Sequence, residues 1–146
     1  MKTILLTAVI MIIALSLSAQ KWETSIDVAK SKAGQEGKNI VLTFSGSDWC
    51  IPCIKLEKNI WESAEFIEYS KAHLILLRAD FPKKKANALP KEQQEQNDKL
   101  AEIYNKQGLF PFVLVLDKKG QVLGSTGYKN VTPKEYIVLL HSFEKK

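Results

Sequence analysis

The stretch Phe44-Ser-Gly-Ser-Asp-Trp-Cys-Ile-Pro-Cys53 separates two segments of different periodicity. Before it, Asn39-Ile-Val-Leu-Thr-Phe44 is a β-rich apolar run bounded by Gly37 and by Ser45-Gly46-Ser47, which reads as a buried strand. From Ile51 onward the pattern turns helical, with Ile54, Glu57, Lys58 and Trp61 at helical spacings. Cys50 and Cys53 therefore fall where a strand hands over to a helix. The first turn of a helix carries N–H groups without intrahelical partners and a partial positive charge, and both favour a thiolate over a thiol. Cys50 occupies that position and reads as a nucleophile, the more exposed thiol of the pair. Cys53, three residues on and on the same helix face, is placed to resolve a mixed disulfide formed on Cys50.

Cys50 and Cys53 are the only two cysteines in 146 residues. A bridge closing so short a loop removes close to the minimum of unfolded-state entropy, so its purpose is chemical rather than structural. The amino terminus bears on the redox compartment. Lys2 precedes Ile4 to Leu17, a run of 14 residues without a charge that ends among Ser16, Ser18 and Ala19. A membrane-spanning helix needs roughly 20 residues, so residues 1–19 are expected to be a cleaved signal peptide and 20–146 the mature, soluble domain. Cleavage after Ser18 is the close alternative. An exported chain enters a compartment where disulfides persist. With 45% hydrophobic and 25% charged residues, the composition is that of one globular domain. The net charge of +5 has no dense basic block beyond Lys83, Lys84 and Lys85, which reads as a solvated loop and gives nucleic-acid binding little support.

The remaining pattern supplies the scaffold. Trp22, Ile26, Ala29 and Ala33 predict a helix over Glu23 to Gln35, stopped by Gly34 and Gly37. Ala64 to Lys71 is a short helical stretch, and His73 to Asp80 a second buried strand that completes a β-α-β unit. After a proline-bounded loop, Phe81 to Pro90, a polar helix runs from Lys91 to Lys106. Phe112 to Leu116, the turn Asp117-Lys-Lys-Gly120 and Gln121 to Gly124 form a hairpin, and Pro133 to Phe143 is a closing helix. The fold class is α/β, a mixed central sheet with a parallel β-α-β half, an antiparallel β-hairpin half and helices on both faces.

Phe44 to Cys53 looks like the active site of the thioredoxin superfamily. Gly108-Leu-Phe-Pro111-Phe-Val-Leu-Val-Leu-Asp117 resembles the second signature of that family, an apolar strand reached through a cis proline. The leading helix and Leu56-Glu-Lys-Asn-Ile-Trp61 are most similar to exported thioredoxin-like proteins related to the C-terminal domain of the membrane thiol:disulfide interchange reductase. The resemblance implies a thioredoxin-like three-layer α/β/α fold. It further implies a periplasmic or secreted thiol:disulfide oxidoreductase that reduces or isomerises protein disulfides as a monomer. Such a protein uses no cofactor or metal beyond its dithiol and is kept reduced by a membrane thiol electron donor. Trp49, Pro52, Phe110 and Pro111 are then the expected substrate contacts around the catalytic Cys50 and Cys53.

Two positions depart from that pattern. The buried Asp that thioredoxins keep on the strand before the motif, thought to help deprotonate the resolving cysteine, corresponds to Thr43, and a hydroxyl cannot act as that base. The Thr that usually follows the cis proline is Phe112. Ile51 and Pro52 offer the sulfur no charge or side-chain donor, and Asp48 brings a negative charge nearby, which points to the reducing end of the potential range. A zinc site is the weaker reading, because only His73 and His141 could complete four ligands. A non-catalytic module that holds extended peptides in the Pro111 groove is the alternative from a different functional class.

Overall fold

The computed structural model describes residues 19–144, so the expected signal segment lies outside the described residues except for Ala19. The elements are β1 (Trp22–Glu23), α1 (Ile26–Glu36), β2 (Asn39–Ser45), α2 (Ile51–Leu56), α3 (Ala64–His73), β3 (Leu74–Asp80), α4 (Lys91–Tyr104), β4 (Phe112–Leu116), β5 (Val122–Thr126) and α5 (Pro133–Glu144). Helix α2 continues into a π-helical turn over Glu57–Trp61. The strands form one sheet in the order β1-β3-β2-β4-β5, with β1, β3 and β2 parallel and β4 and β5 antiparallel. The expected mixed sheet is the observed one.

Strand alternation sends β2 into two cores. Ile40, Leu42 and Phe44 face Ala29 and Ala33 of α1 and Leu100 of α4. Val41 faces the other way, toward Leu56, Trp61 and Phe66 and toward Tyr136 and Leu140 of α5. Both faces of β2 are covered, which is why its sequence is a continuous apolar run rather than an alternating one. Helices thus lie on both sides of the sheet, in three layers.

The predicted helix from Glu23 needs correction at its start. Trp22 and Glu23 form β1, paired parallel with Leu76 and Leu77 at the sheet edge. Helix α1 begins only at Ile26, behind the extended N-cap Ser25, whose hydroxyl accepts from the Val28 N–H at 3.5 Å. The four-residue spacing from Trp22 to Ile26 imitates a helix, but Trp22 is half-buried against Trp61 at 5.7 Å and the Arg78 guanidinium at 4.2 Å. At the far end, Gly37 closes α1 at φ +66 and donates its N–H to Ala33 O. His73 ends α3 instead of opening β3.

Candidate active site

The cysteines follow the carboxyl end of β2, the central strand. There the chain turns on Gly46, whose carbonyl accepts the N–H groups of Trp49 at 3.2 Å and Cys50 at 2.8 Å. A β-carbon at Gly46 would lie 2.3 Å from the Trp49 indole, so any other residue there must displace that ring. Cys50 is the N-cap of α2, and its Sγ accepts the Cys53 N–H at 3.3 Å. Cys53 Sγ in turn accepts the Gly46 N–H at 3.5 Å. The two sulfurs are joined in a disulfide. Each sulfur therefore has a backbone donor directed at it. Cys50 and Cys53 are 5% and 4% exposed, so in this oxidised form exposure does not distinguish the expected nucleophile from its partner. Ile51 and Pro52 stand exposed in the first turn of α2.

Register brings the proline loop to the same end of the sheet. Phe112 pairs antiparallel with Phe44, so Pro111 leaves the sheet where β2 delivers the cysteine turn. Phe110–Pro111 is cis. Asn105, 5% exposed, clamps the approach to it, with Nδ2 donating to Leu109 O and Oδ1 accepting from Leu109 N, both at 2.9 Å. Trp49 and Phe110 meet edge to face at 5.4 Å, and Phe81 joins them at 5.6 Å from Phe110. The Trp49 Nε1–H donates to Phe81 O at 2.7 Å. Of the expected substrate contacts, Trp49 and Phe110 touch, Pro111 is buried behind them, and Pro52 is exposed on α2.

Asp48 has partners that its sequence position does not reveal. Its carboxylate turns to the loop after β3, accepting from the backbone N–H groups of Lys83 and Lys84, both at 2.9 Å, and from Asn87 Nδ2 at 3.0 Å. The Lys83 N–H first, then Asn87 and Lys84, hold this carboxyl below the usual carboxylate range. Lys83 Nζ sits 3.9 Å from the Trp49 ring centroid. The negative charge expected near Cys50 is therefore kept, on a carboxylate fastened to the lysine loop.

A second feature was missed at the sequence level. Thr43 is 1% exposed and its Oγ1 has no hydrogen-bond partner. It pairs in register with Arg78 of β3, whose Nη2 donates to Glu57 Oε2 at 2.6 Å. Cys53, Glu57 and Arg78 line one cavity of about 220 Å³. Glu57 lies one helical turn beyond Cys53, and that spacing was the available signal. His73 and His141 lie on α3 and α5, where Tyr69 Oη is 3.3 Å from His141 Nδ1.

A thioredoxin-like family model matches residues 21–118. The disulfide bond reductase DsbH of Chlamydia pneumoniae is 37% identical over 109 residues, an alignment covering 75% of this chain and 63% of that protein. The match thus spans less than two thirds of that relative's length. A solved structure of a DsbH oxidoreductase superposes with a TM-score of 0.79 at 35% identity, covering 86% of this chain and 84% of that one. The reduced C-terminal domain of DsbD from Neisseria meningitidis has the same fold, with a TM-score of 0.53 at 20% identity over 80% of this chain and 92% of that one.

Proposed function

The chain belongs to the thioredoxin-like family, and on that premise we propose that it is an exported thiol:disulfide oxidoreductase that reduces or isomerises protein disulfides through Cys50 and Cys53. The observation carrying this reading is the Cys50–Cys53 bond across the first turn of α2, with a backbone N–H aimed at each sulfur. In the reducing direction the Cys50 thiolate attacks one sulfur of a substrate disulfide. A mixed disulfide forms, and the other substrate sulfur leaves as a thiolate and takes a proton. Cys53, once deprotonated, attacks Cys50 Sγ, closes the intramolecular bond and releases the second substrate thiolate, which is protonated in turn. Two electrons and two protons pass from the dithiol to the substrate. The Cys53 N–H supports charge on Cys50 in the first step, and the Gly46 N–H supports charge on Cys53 in the second.

Because the Thr43 hydroxyl cannot take the Cys53 proton, that role falls to the Glu57 carboxylate across the shared cavity, with Arg78 holding it in place. Trp49, Pro52, Phe110 and Pro111 frame the approach of the substrate. Residues 1–19 serve as the signal peptide, the mature protein acts in the periplasm or as a secreted protein, and a membrane thiol donor returns the Cys50–Cys53 bond to the dithiol. Insulin-disulfide reduction tests the reading: the wild type is expected to turn over and Cys50→Ser to fall to background. Equal activity of the two proteins would instead favour a peptide-binding module. Amino-terminal sequencing of the exported protein is expected to begin at Gln20.

A further inference from the structure

Lys83, Lys84 and Lys85 take no part in the disulfide chemistry above. All three are exposed, and none forms an ion pair with another described residue. Yet the loop that carries them is fastened to the cysteine turn at several points. The Phe81 N–H donates to Ser45 O at 2.8 Å, and Phe81 O accepts from the Trp49 indole. Asp48, two residues before the nucleophile, holds the backbone of Lys83 and Lys84 and the side chain of Asn87. Lys83 Nζ is thereby set over the Trp49 ring, in cation–π geometry.

The two carboxylates of this rim, Asp48 and Asp80, are outnumbered by the three lysines, and their oxygens are taken up by neighbouring donors. Asp48 has both oxygens on loop donors, and Asp80 has both on the N–H and hydroxyl of Ser47. Three exposed lysines, Lys83 with its ammonium over Trp49, thus share this end of the sheet with exposed apolar side chains, Trp49 at 36%, Ile51 at 63% and Leu109 at 45%. Thiol–disulfide exchange has no sequence preference of its own, so discrimination among substrates comes from such a rim. The geometry points to a docking surface for acidic polypeptide, in which a substrate disulfide flanked by Asp or Glu and a large apolar residue is seated against Lys83–Lys85 and Trp49. Asp48 is the positioning residue of this surface. The inference rests on the disulfide-exchange reading for its purpose, but binding can be measured apart from turnover.

Two pairs of short peptides separate the possibilities. One pair carries S-methylcysteine beside Leu, flanked by Glu in one peptide and by Lys in the other; the second pair has the same flanks around a real disulfide. Fluorescence anisotropy with the inert pair is expected to show the acidic peptide binding about tenfold more tightly at low salt, a preference that shrinks as ionic strength screens it. K83E/K84E/K85E should reverse the preference, and the neutral K83Q/K84Q/K85Q should abolish it without adding repulsion. Asp48→Ala removes a negative charge, which alone would tighten binding of the acidic peptide, so the weaker preference expected in this variant reads the loss of loop order, and an unweakened one removes Asp48 as the positioning residue. Equal binding of the two peptides, or a preference that survives the glutamine variant, overturns the surface. If the disulfide pair is turned over without charge preference and the inert pair binds equally, the surface falls and the oxidoreductase reading stands. If neither disulfide peptide is turned over while the acidic inert peptide still binds selectively, the oxidoreductase reading falls and the surface stands.

Discussion

The loops that follow β2 and β3 leave neighbouring strands at one level, since Ser45 and Asp80 are register partners, yet they are built in opposite ways. The cysteine turn is held mainly by its own backbone. Gly46 O holds Trp49 and Cys50, Cys50 Sγ holds Cys53, and Gly46 N–H reaches Cys53 Sγ, so the ties that set the sulfurs span seven residues or fewer, while Ser47 is also bonded to Asp80. The lysine loop borrows its order from that turn, through Trp49 to Phe81 at a separation of 32 residues and through Asp48 to Lys83, Lys84 and Asn87 at separations of 35, 36 and 39. Chemistry therefore resides in a locally determined unit, and the surface around it is hung from that unit by tertiary contacts. Damage to the first is expected to abolish reaction; damage to the second, to change what is recognised.

The largest effect belongs to the sulfur itself. Cys50→Ser should reduce disulfide turnover to background while leaving the Phe81–Asn87 loop ordered, because none of that loop's ties involves sulfur. Next comes Gly46→Ala. The added methyl would meet the Trp49 indole at 2.3 Å, and moving the indole also strains its bond to Phe81 O. A loss of about 1–3 kcal/mol in denaturant unfolding is expected from such overpacking. An unchanged midpoint would mean that Trp49 swings away freely, and the contrast between the two loops would lose its hinge.

How far each region could be read from the amino-acid string follows the same division. The strand from Asn39, the helix after Cys50 and the Phe110–Pro111 loop were legible because periodicity and motif spacing are local properties. Trp22–Glu23 was not, because a two-residue strand has no periodicity and takes its identity from Leu76 and Leu77. The loop partners of Asp48 were hidden because they are distant in sequence. Glu57 read only as part of a helical pattern, since Arg78, which orients it, is 21 residues away. Thr43 announced that a base was missing without saying what replaces it. A smaller effect addresses that gap: Glu57→Gln should slow the resolving step several-fold while sparing the first attack. Mass spectrometry of quenched reactions should then show the Cys50 mixed disulfide accumulating relative to wild type. Absence of that accumulation would remove Glu57 from the mechanism.

The smallest effect is the most local, and its sign is fixed by Asp48. In the folded protein this carboxyl is held below its usual range, chiefly by the Lys83 N–H. A depressed carboxylate contributes stability that is fully present above its ordinary pKa of about 3.9 and is lost as the pH falls through the folded value. The lysine loop is accordingly expected to stay docked at neutral pH and to loosen below about pH 4. Global unfolding is the wrong measurement, because Asp117 and Glu135 are also lowered, foremost by the backbone N–H groups of Gln121 and Thr132, and shift acid stability in the same direction. Amide exchange at Lys83 and Lys84 isolates the loop, provided that protection factors are used so that the intrinsic pH dependence of exchange divides out. In the wild type these two protection factors should fall on acidification while those at Trp49 and Cys50, whose N–H groups are held by the Gly46 carbonyl, do not. In Asp48→Asn, which has nothing to titrate at this position, they should start lower and stay flat. Equal loss at all four amides in the wild type would mean that the two loops open together, and the distinction between a locally held turn and a borrowed one would fail.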